Sequence, residues 1–310
     1  MPPSHPFFTQ LSITHPVVQA PMAGTSTPRL AAAVSNAGGL GSLGIGASTA
    51  AQARAMIEET RALTARPINV NVFCHAPARR DAGVEAAWLA HLAPLFHEAG
   101  APLPISLEEI YRTFNDDEDS FKMLLALRPA VVSFHFGLPS SERLAAMRAA
   151  GIRTMATATS LQEALRIEQA GIDAIVAQGI EAGGHRGMFD PEASDERLSM
   201  AVLVRLLVKR TNLPVIAAGG IMDGAGIRAA LDLGAAGAQL GTAFILSPES
   251  AANDAYRANL QSERAAVTAL TAAISGRPAR GIVNRIVSHG ASGVPAAYPV
   301  AYDAAKQLHA

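Results

Sequence analysis

Eight short apolar runs, each followed by a turn and a segment of helical periodicity, constrain this chain more than any other feature. They stand at 17–20, 40–43, 68–73, 130–134, 153–156, 173–177, 214–218 and 236–240. Strict strand–helix alternation makes successive strands parallel, because each helix returns the chain to the edge where the last strand began. Eight such units in 310 residues favour closure into an α/β fold of the (β/α)8 or TIM-barrel type over an open doubly wound sheet. Helix starts carry their own signals. Thr27 precedes Pro28, Thr49 stands three before Gln52 and Ser160 three before Glu163, as capping boxes require, and Asp223 suits a cap. Gly38, Gly151, Gly171 and Gly234 fall where helices should stop. Two stretches exceed what a plain barrel needs. The barrel is expected over 1–247 with a helical insertion at about 75–128 after the third strand. A helical extension over 248–310 is expected to form a small second domain or lid over or beside the barrel mouth.

Composition narrows the function classes. Charge is balanced, with 25 Lys and Arg against 26 Asp and Glu, so the basic surface that a phosphate backbone requires is absent and nucleic acid is not an expected partner. The apolar stretches are broken too early to cross a bilayer, and the N-terminal run lacks the basic and apolar regions of a secretory signal. One cysteine, Cys74, rules out an internal disulfide and a thiolate metal cluster, and without a partner base it reads as a packed thiol. The expected setting is the cytoplasm, with no membrane partner and a monomer or homodimer as the working form.

In a barrel, the carboxyl ends of the strands and the loops after them form the active face. Those positions hold Pro21, Met22, Ala23 and Gly24, then Asn71, His135, Thr157, Gln178, Gly219, Gly220, Gly241 and Thr242. The set is rich in glycine and uncharged hydrogen-bonding groups. It shows no metal-ligand spacing, no nucleophile elbow and no paired carboxylates, so a borrowed cofactor is the expected source of chemistry. The glycine turns after strands seven and eight suit a phosphate, because nothing shields their amides; the same glycines also serve simply to bend the chain. Asn69 and Asn71 alternate with valines and therefore face the axis, either as a polar interior layer or as partners of a flat heterocycle. His185, in the loop Gly183-Gly184-His185, stands where an imidazole can approach a ligand, and His135 ends strand four. In the tail, Tyr298, Tyr302 and Lys306 are spaced by four and share one helical stripe, behind Pro299 as helix opener. Taken alone, that stripe reads as an amphipathic helix with a snorkelling lysine.

The runs QAPMAGTSTPRLAAAVSNAGGLGSLG, NVNVF, SFHFG, QGIEAGGHRGMF, AAGGI and QLGTAF, in that order, resemble those of the class I nitronate monooxygenases, formerly called 2-nitropropane dioxygenases. The resemblance spans nearly the whole chain. It implies an FMN-containing TIM barrel that oxidises alkyl nitronates, notably propionate 3-nitronate, with O2, giving carbonyl products and nitrite or nitrate. It assigns Gln178 and the backbone of Met22–Gly24 to the flavin ring, and Gly219, Gly220, Gly241 and Thr242 to its phosphate. Pro21, Ala23, Asn71, Gly183, Gln239 and Leu240, beside these, complete the set read as cofactor-binding. The resemblance also makes His185 a base toward neutral nitroalkanes, and Tyr111, Tyr298, Tyr302 and Lys306 substrate contacts; His135 is read as a further substrate contact from its place at the end of strand four. Related FMN barrels, the NADH:quinone reductases and enoyl-acyl-carrier-protein reductases, resemble the chain at the strand-end glycines and the AGGH loop. They supply the alternative activity, and a flavin-binding barrel without turnover is the non-enzymatic one.

Overall fold

A computed structural model describes residues 5–308, so the outermost bounds of the expected domains, 1 and 310, lie outside the described residues. The chain forms two compact units. One comprises the described residues up to His75 with Thr113–Ala182 and Gly187–Asn253; the other comprises Ala76–Arg112, Gly183–Arg186 and the described residues from Asp254 onward.

In chain order the strands are β1 (Val17–Gln19), β2 (Gly41–Gly44), β3 (Ile68–Phe73), β4 (Val131–His135), β5 (Arg153–Ala158), β6 (Ala174–Gln178), β7 (Gly184–His185), β8 (Val215–Ala218), β9 (Gly237–Leu240), β10 (Thr268–Thr271) and β11 (Ala279–Ile282). In the first unit the parallel sheet runs β1-β9-β8-β6-β5-β4-β3-β2. Its two ends meet. Leu40 N donates to Val17 O at 2.9 Å, and Gln19 N to Leu40 O at 3.0 Å. With the parallel bridge Val18 to Leu40, the sheet closes into a barrel with no free edge. Each of the eight expected strands is present, its ends shifted by no more than two residues.

Side chains alternate between two layers, as the period of a strand demands. Val70, Val72, Val132, Phe134, Ile175 and Ala217 pack outward with the helices. Val18, Leu40, Val131, Met155, Val176 and Ile216 form a separate interior cluster. Phe7 and Phe8, from the helix Pro6–Gln10, join that interior cluster. The same alternation turns Asn69 and Asn71 to the barrel interior. Asn69 Nδ2 donates to Ser42 Oγ at 3.1 Å, and Asn71 Nδ2 to Ser133 Oγ at 3.0 Å, each across the register of neighbouring strands.

The caps at Thr27, Thr49 and Asp223 form as expected, Thr49 and Gln52 as a reciprocal box. The pair Ser160 and Glu163 is half of one. Ser160 Oγ accepts from Glu163 N at 3.2 Å. The Glu163 carboxylate, instead of returning to Ser160, accepts from Thr159 N and Oγ1 and from Phe189 N, at 2.6–2.7 Å. A buried carboxylate needs several donors, and the loop at Phe189 offers a further one that the cap backbone cannot.

In the second unit the helices Ala82–Ala99, Arg285–Gly290 and Val300–Leu308 pack around Trp88, Leu92, Phe96, Val300 and Ala304. The tail is not helical alone: β10 and β11 form an antiparallel pair, and β7 adds to β11. At four residues each, TALT and ARGI are too short to show the period of a strand. Among the described residues, no helix is long and apolar enough to cross a membrane.

Candidate functional site

The barrel unit gathers the cofactor candidates, apart from Gly183, around the carboxyl ends of its strands. The turn Pro21–Gly24 is held from below by a residue the sequence reading passed over. Gln19, fully buried on β1, donates through Nε2 to Ser26 Oγ at 2.8 Å and also to Ala20 O. Ser26 Oγ in turn accepts from Met22 N at 2.9 Å, while Gln19 Oε1 accepts from Ser42 N at 2.8 Å. One carboxamide therefore ties β1, the loop after it and β2. Gly44 is required beside this loop, since a Cβ there would lie 2.9 Å from Ala23 N.

Gln178 ends β6 almost fully buried, and its Oε1 accepts from Gly187 N at 2.7 Å. Its carbonyl end therefore closes the loop 179–187. His135 Nδ1 lies 3.0 Å from Thr157 Oγ1, and the pair crowds Gly187, where a Cβ would sit 2.6 Å from the Thr157 methyl. Gly219 and Gly220 both take positive φ, +116° and +68°, which aims consecutive amides in directions other residues rarely reach. Gly219 also admits the 181–182 loop, since a Cβ there would meet Ala182 N at 3.0 Å. Gly241, following Gln239 and Leu240 of β9, opens the short helix Thr242–Ile245, whose amides receive no side-chain cap. Seven longer helices of the same unit are each capped by a Ser, Thr or Asp side chain. Two glycine turns on neighbouring strands thus offer uncovered amide dipoles, the donor set a phosphate group fits.

The second unit gathers a different set. His185 is on β7, opposite Ala279 of β11, and Arg186 N donates to Pro278 O at 2.8 Å. This register brings the imidazole to the turn Ser275–Pro278, where His185 Nε2 lies 2.8 Å from Ser275 Oγ. The ring meets Tyr298 and Tyr302 edge-on, at 5.7 and 5.9 Å between centroids, and Tyr302 meets Tyr111 at 5.7 Å. Cations flank the row. The Arg277 guanidinium lies 5.7 Å over the Tyr298 ring, and Lys306 Nζ lies 4.7 Å over Tyr111 and 5.7 Å over Tyr302. Tyr302 and Lys306 share a face of the helix Val300–Leu308. Tyr298 is not part of that helical stripe: it stands in the turn before Pro299 and reaches His185 from there. The helix is secured by Asp303, whose Oδ2 accepts from Glu108 N at 2.9 Å and whose Oδ1 accepts from Gln307 at 3.1 Å. That bond draws the segment leading to Tyr111 onto the tail.

The electrostatics follow from this company. Burial, reinforced by the Arg277 charge, lowers the His185 pKa to about 4, so the imidazole is neutral at neutral pH. Burial raises the Tyr111 phenol to about 12 and pushes Tyr298 and Tyr302 upward as well. All three phenols are therefore hydrogen-bond donors, not phenolates. Cys74, buried and raised by desolvation beyond the usual thiol range, is no nucleophile. Among the described residues, no group of three or more His, Cys, Asp or Glu side chains could hold a metal ion.

Comparison with known proteins decides the family. The nitronate monooxygenase family model matches residues 5–310. The chain belongs to the nitronate monooxygenase family. It is 59% identical over 303 residues to a nitronate monooxygenase of Paraburkholderia phytofirmans, covering 97% of this chain and 83% of that one. Identity to a nitronate monooxygenase of Pseudomonas aeruginosa is 56%, covering 97% and 87%. Among solved structures, a nitroalkane oxidase from Streptomyces ansochromogenes superposes with a TM-score of 0.88 at 39% identity, covering 97% of this chain and 86% of its own. FabK from Thermotoga maritima gives 0.70 at 32%, covering 90% and 75%. Nitronate monooxygenases of this family are flavin-dependent oxidoreductases, and the closed barrel is the architecture expected for one.

For a nitronate monooxygenase, the residues that sequence reasoning missed are instructive. Ser275, Gly276 and Arg277 lie in the run SGRPARG, between two strands too short to be recognised. A Ser-Gly-Arg-Pro turn was legible as a turn. Its bearing on His185, ninety residues away, was not.

Proposed function

We propose that the protein is an FMN-dependent nitronate monooxygenase, oxidising small alkyl nitronates with O2 to carbonyl products and nitrite or nitrate. The observation that carries this reading is the charge character of the His185 cluster: a neutral imidazole, protonated phenols, and the cations Arg277 and Lys306. Such a cluster complements an anion that arrives already formed. A neutral nitroalkane must first lose a proton, and a base near pKa 4 has the right form but little driving force for that transfer.

In this reading the barrel up to about residue 247 carries the cofactor, and the insertion and tail carry the substrate groups. Gly219, Gly220, Gly241 and Thr242 hold the phosphate, with Gln239 and Leu240 leading into the second turn. The backbone of Pro21–Gly24, Asn71, Gln178 and Gly183 serve the ring. No group for reading an adenine stands out among them, which favours FMN over FAD. Bound flavin supplies the electron-accepting ring. His185 is the catalytic residue, orienting the nitronate, while Tyr111, Tyr298 and Tyr302 donate to its oxygens and Lys306 receives a distal carboxylate, as in propionate 3-nitronate. His135 is a further substrate contact. The enzyme acts in the cytoplasm on small molecules.

The test is anaerobic mixing. An alkyl nitronate should bleach the flavin and NADH should not, and the chromophore released on denaturation should have the mass of FMN. Bleaching by NADH alone would replace this reading with that of a reductase.

A further inference from the structure

We infer that Asp303 is a positioning residue: by holding the backbone N–H of Glu108, it sets Tyr111 against Tyr302 and Lys306. The consequence for catalysis rests on the nitronate reading; the geometry does not. Residues 101–112 form neither helix nor strand. A segment without a ladder of its own takes its position from the side chains that meet its backbone. Two such side chains meet this one at adjacent residues. Arg80 Nη2 donates to Leu107 O at 2.8 Å, and Asp303 Oδ2 accepts from Glu108 N at 2.9 Å. Three residues further on, the Tyr111 ring stands 5.7 Å from that of Tyr302, with Lys306 Nζ 4.7 Å over it.

The two anchors are not equivalent. Arg80 is exposed and shares its guanidinium with Glu85, whose Oε1 accepts from Nε at 2.6 Å. Water screens such a group. Asp303 is only 9% exposed and lies between Tyr302 and Lys306 on the helix Val300–Leu308. A buried carboxylate requires N–H donors, and a bond to one is charge-assisted, hence strong. The Gln307 side chain, donating to Oδ1 at 3.1 Å, keeps the carboxylate turned so that Oδ2 is left for Glu108. The helix itself does not depend on this bond. Val300, Ala301, Ala304 and Ala305, each at most 1% exposed, pack it into the core of its unit. Loss of the carboxylate therefore releases the Tyr111 segment and not the helix. One helix supplies Tyr302 and Lys306 directly and places Tyr111 through Asp303.

The experiment replaces the four tyrosines by 3-fluorotyrosine in the flavin-loaded protein and records 19F spectra. The Tyr111 signal is identified by its loss in Tyr111→Phe. In Asp303→Ala it should move toward that of the free amino acid, while the signal of Tyr256, on the helix Asp254–Leu260, stays. With an alkyl nitronate, Asp303→Ala should lower kcat/KM about tenfold, the size of one ordinary hydrogen bond. In a Tyr111→Phe background the same change should cost less than about twofold, because the hydroxyl that Asp303 positions is already gone. A Tyr111 signal unmoved by Asp303→Ala, or equal losses in the two backgrounds, overturns the inference. If Asp303→Ala does not fold, Glu108→Pro, which deletes the donor N–H from the other side, takes its place with the same outcomes. A wild type that oxidises no nitronate would sink the functional reading, and the 19F spectra would still decide the positioning.

Discussion

The His185 imidazole should make the folded protein acid-sensitive in a window that its removal abolishes. Its pKa falls from an ordinary 6.5 to about 4 because the half-buried ring is desolvated and faces the Arg277 guanidinium. The sign follows from proton counting. Above pH 6.5 neither the folded nor the unfolded chain binds a proton at this site, and it adds nothing to the pH dependence. Between pH 6.5 and pH 4 the unfolded chain takes up a proton that the folded state refuses, so stability falls as pH falls. At about 1.4 kcal/mol per pH unit the whole window amounts to about 3 kcal/mol, an upper bound because water screens part of a half-buried ring. Urea unfolding of wild type and His185→Asn at pH 7.5 and pH 4.5 measures it. Other titrating groups cancel in the comparison, so the wild type should lose about 2 kcal/mol more than the variant between the two pH values. Parallel losses would refute the reasoning, and would mean that His185 is solvated or paired with an acid.

Three further outcomes are expected. Lys306→Met should lower kcat/KM for a carboxylate-bearing nitronate relative to an uncharged-tail nitronate by about tenfold, the low end for a charge-assisted bond because the ammonium is exposed; an unmoved ratio leaves Lys306 as a solvated helix residue. Gly276→Ala should destabilise by at least ~1–2 kcal/mol from the left-handed backbone alone, read in urea, and by more once the Tyr298 backbone is displaced. Gln19→Leu should weaken flavin retention about tenfold in dialysis followed by fluorescence, because it removes one of the bonds that hold Ser26 and leaves the Ser42 amide without its buried acceptor. Flavin retention equal to wild type would show that the Pro21–Gly24 loop keeps its shape unaided.

What was legible in the sequence is what local pattern dictates. Val70 and Val72 alternating with Asn69 and Asn71 declare a strand with one apolar and one polar face, and the structure turns those faces as the alternation requires. Thr49 with Gln52 declares a helix start because the box is made within four residues. Glu163 shows the limit: its spacing from Ser160 is right, but a distant donor, Phe189 N, competes for the carboxylate. Tyr298 shows the same limit, since equal spacing along the chain placed it on a helix that starts only at Val300. Ser275 and Gln19 were silent because their partners are set by register, not by neighbourhood. The strands β10 and β11 escaped because four residues of mixed character carry no period.

The aromatic and cationic row around His185 has a temporal consequence. Its members enter from Tyr111, from His185 and from Tyr298, Tyr302 and Lys306, and the bond between Asp303 and Glu108 spans 195 positions. Closing a loop that long adds little free energy, since the entropy grows only with the logarithm of length. It does impose an order of events. A chain emerging from the ribosome has every barrel strand once Leu240 is out, yet the row lacks Tyr298, Tyr302 and Lys306 until the chain has grown to residue 306. The groups proposed to receive the substrate are thus withheld from every copy not yet extended to Lys306, and chemistry waits for that residue.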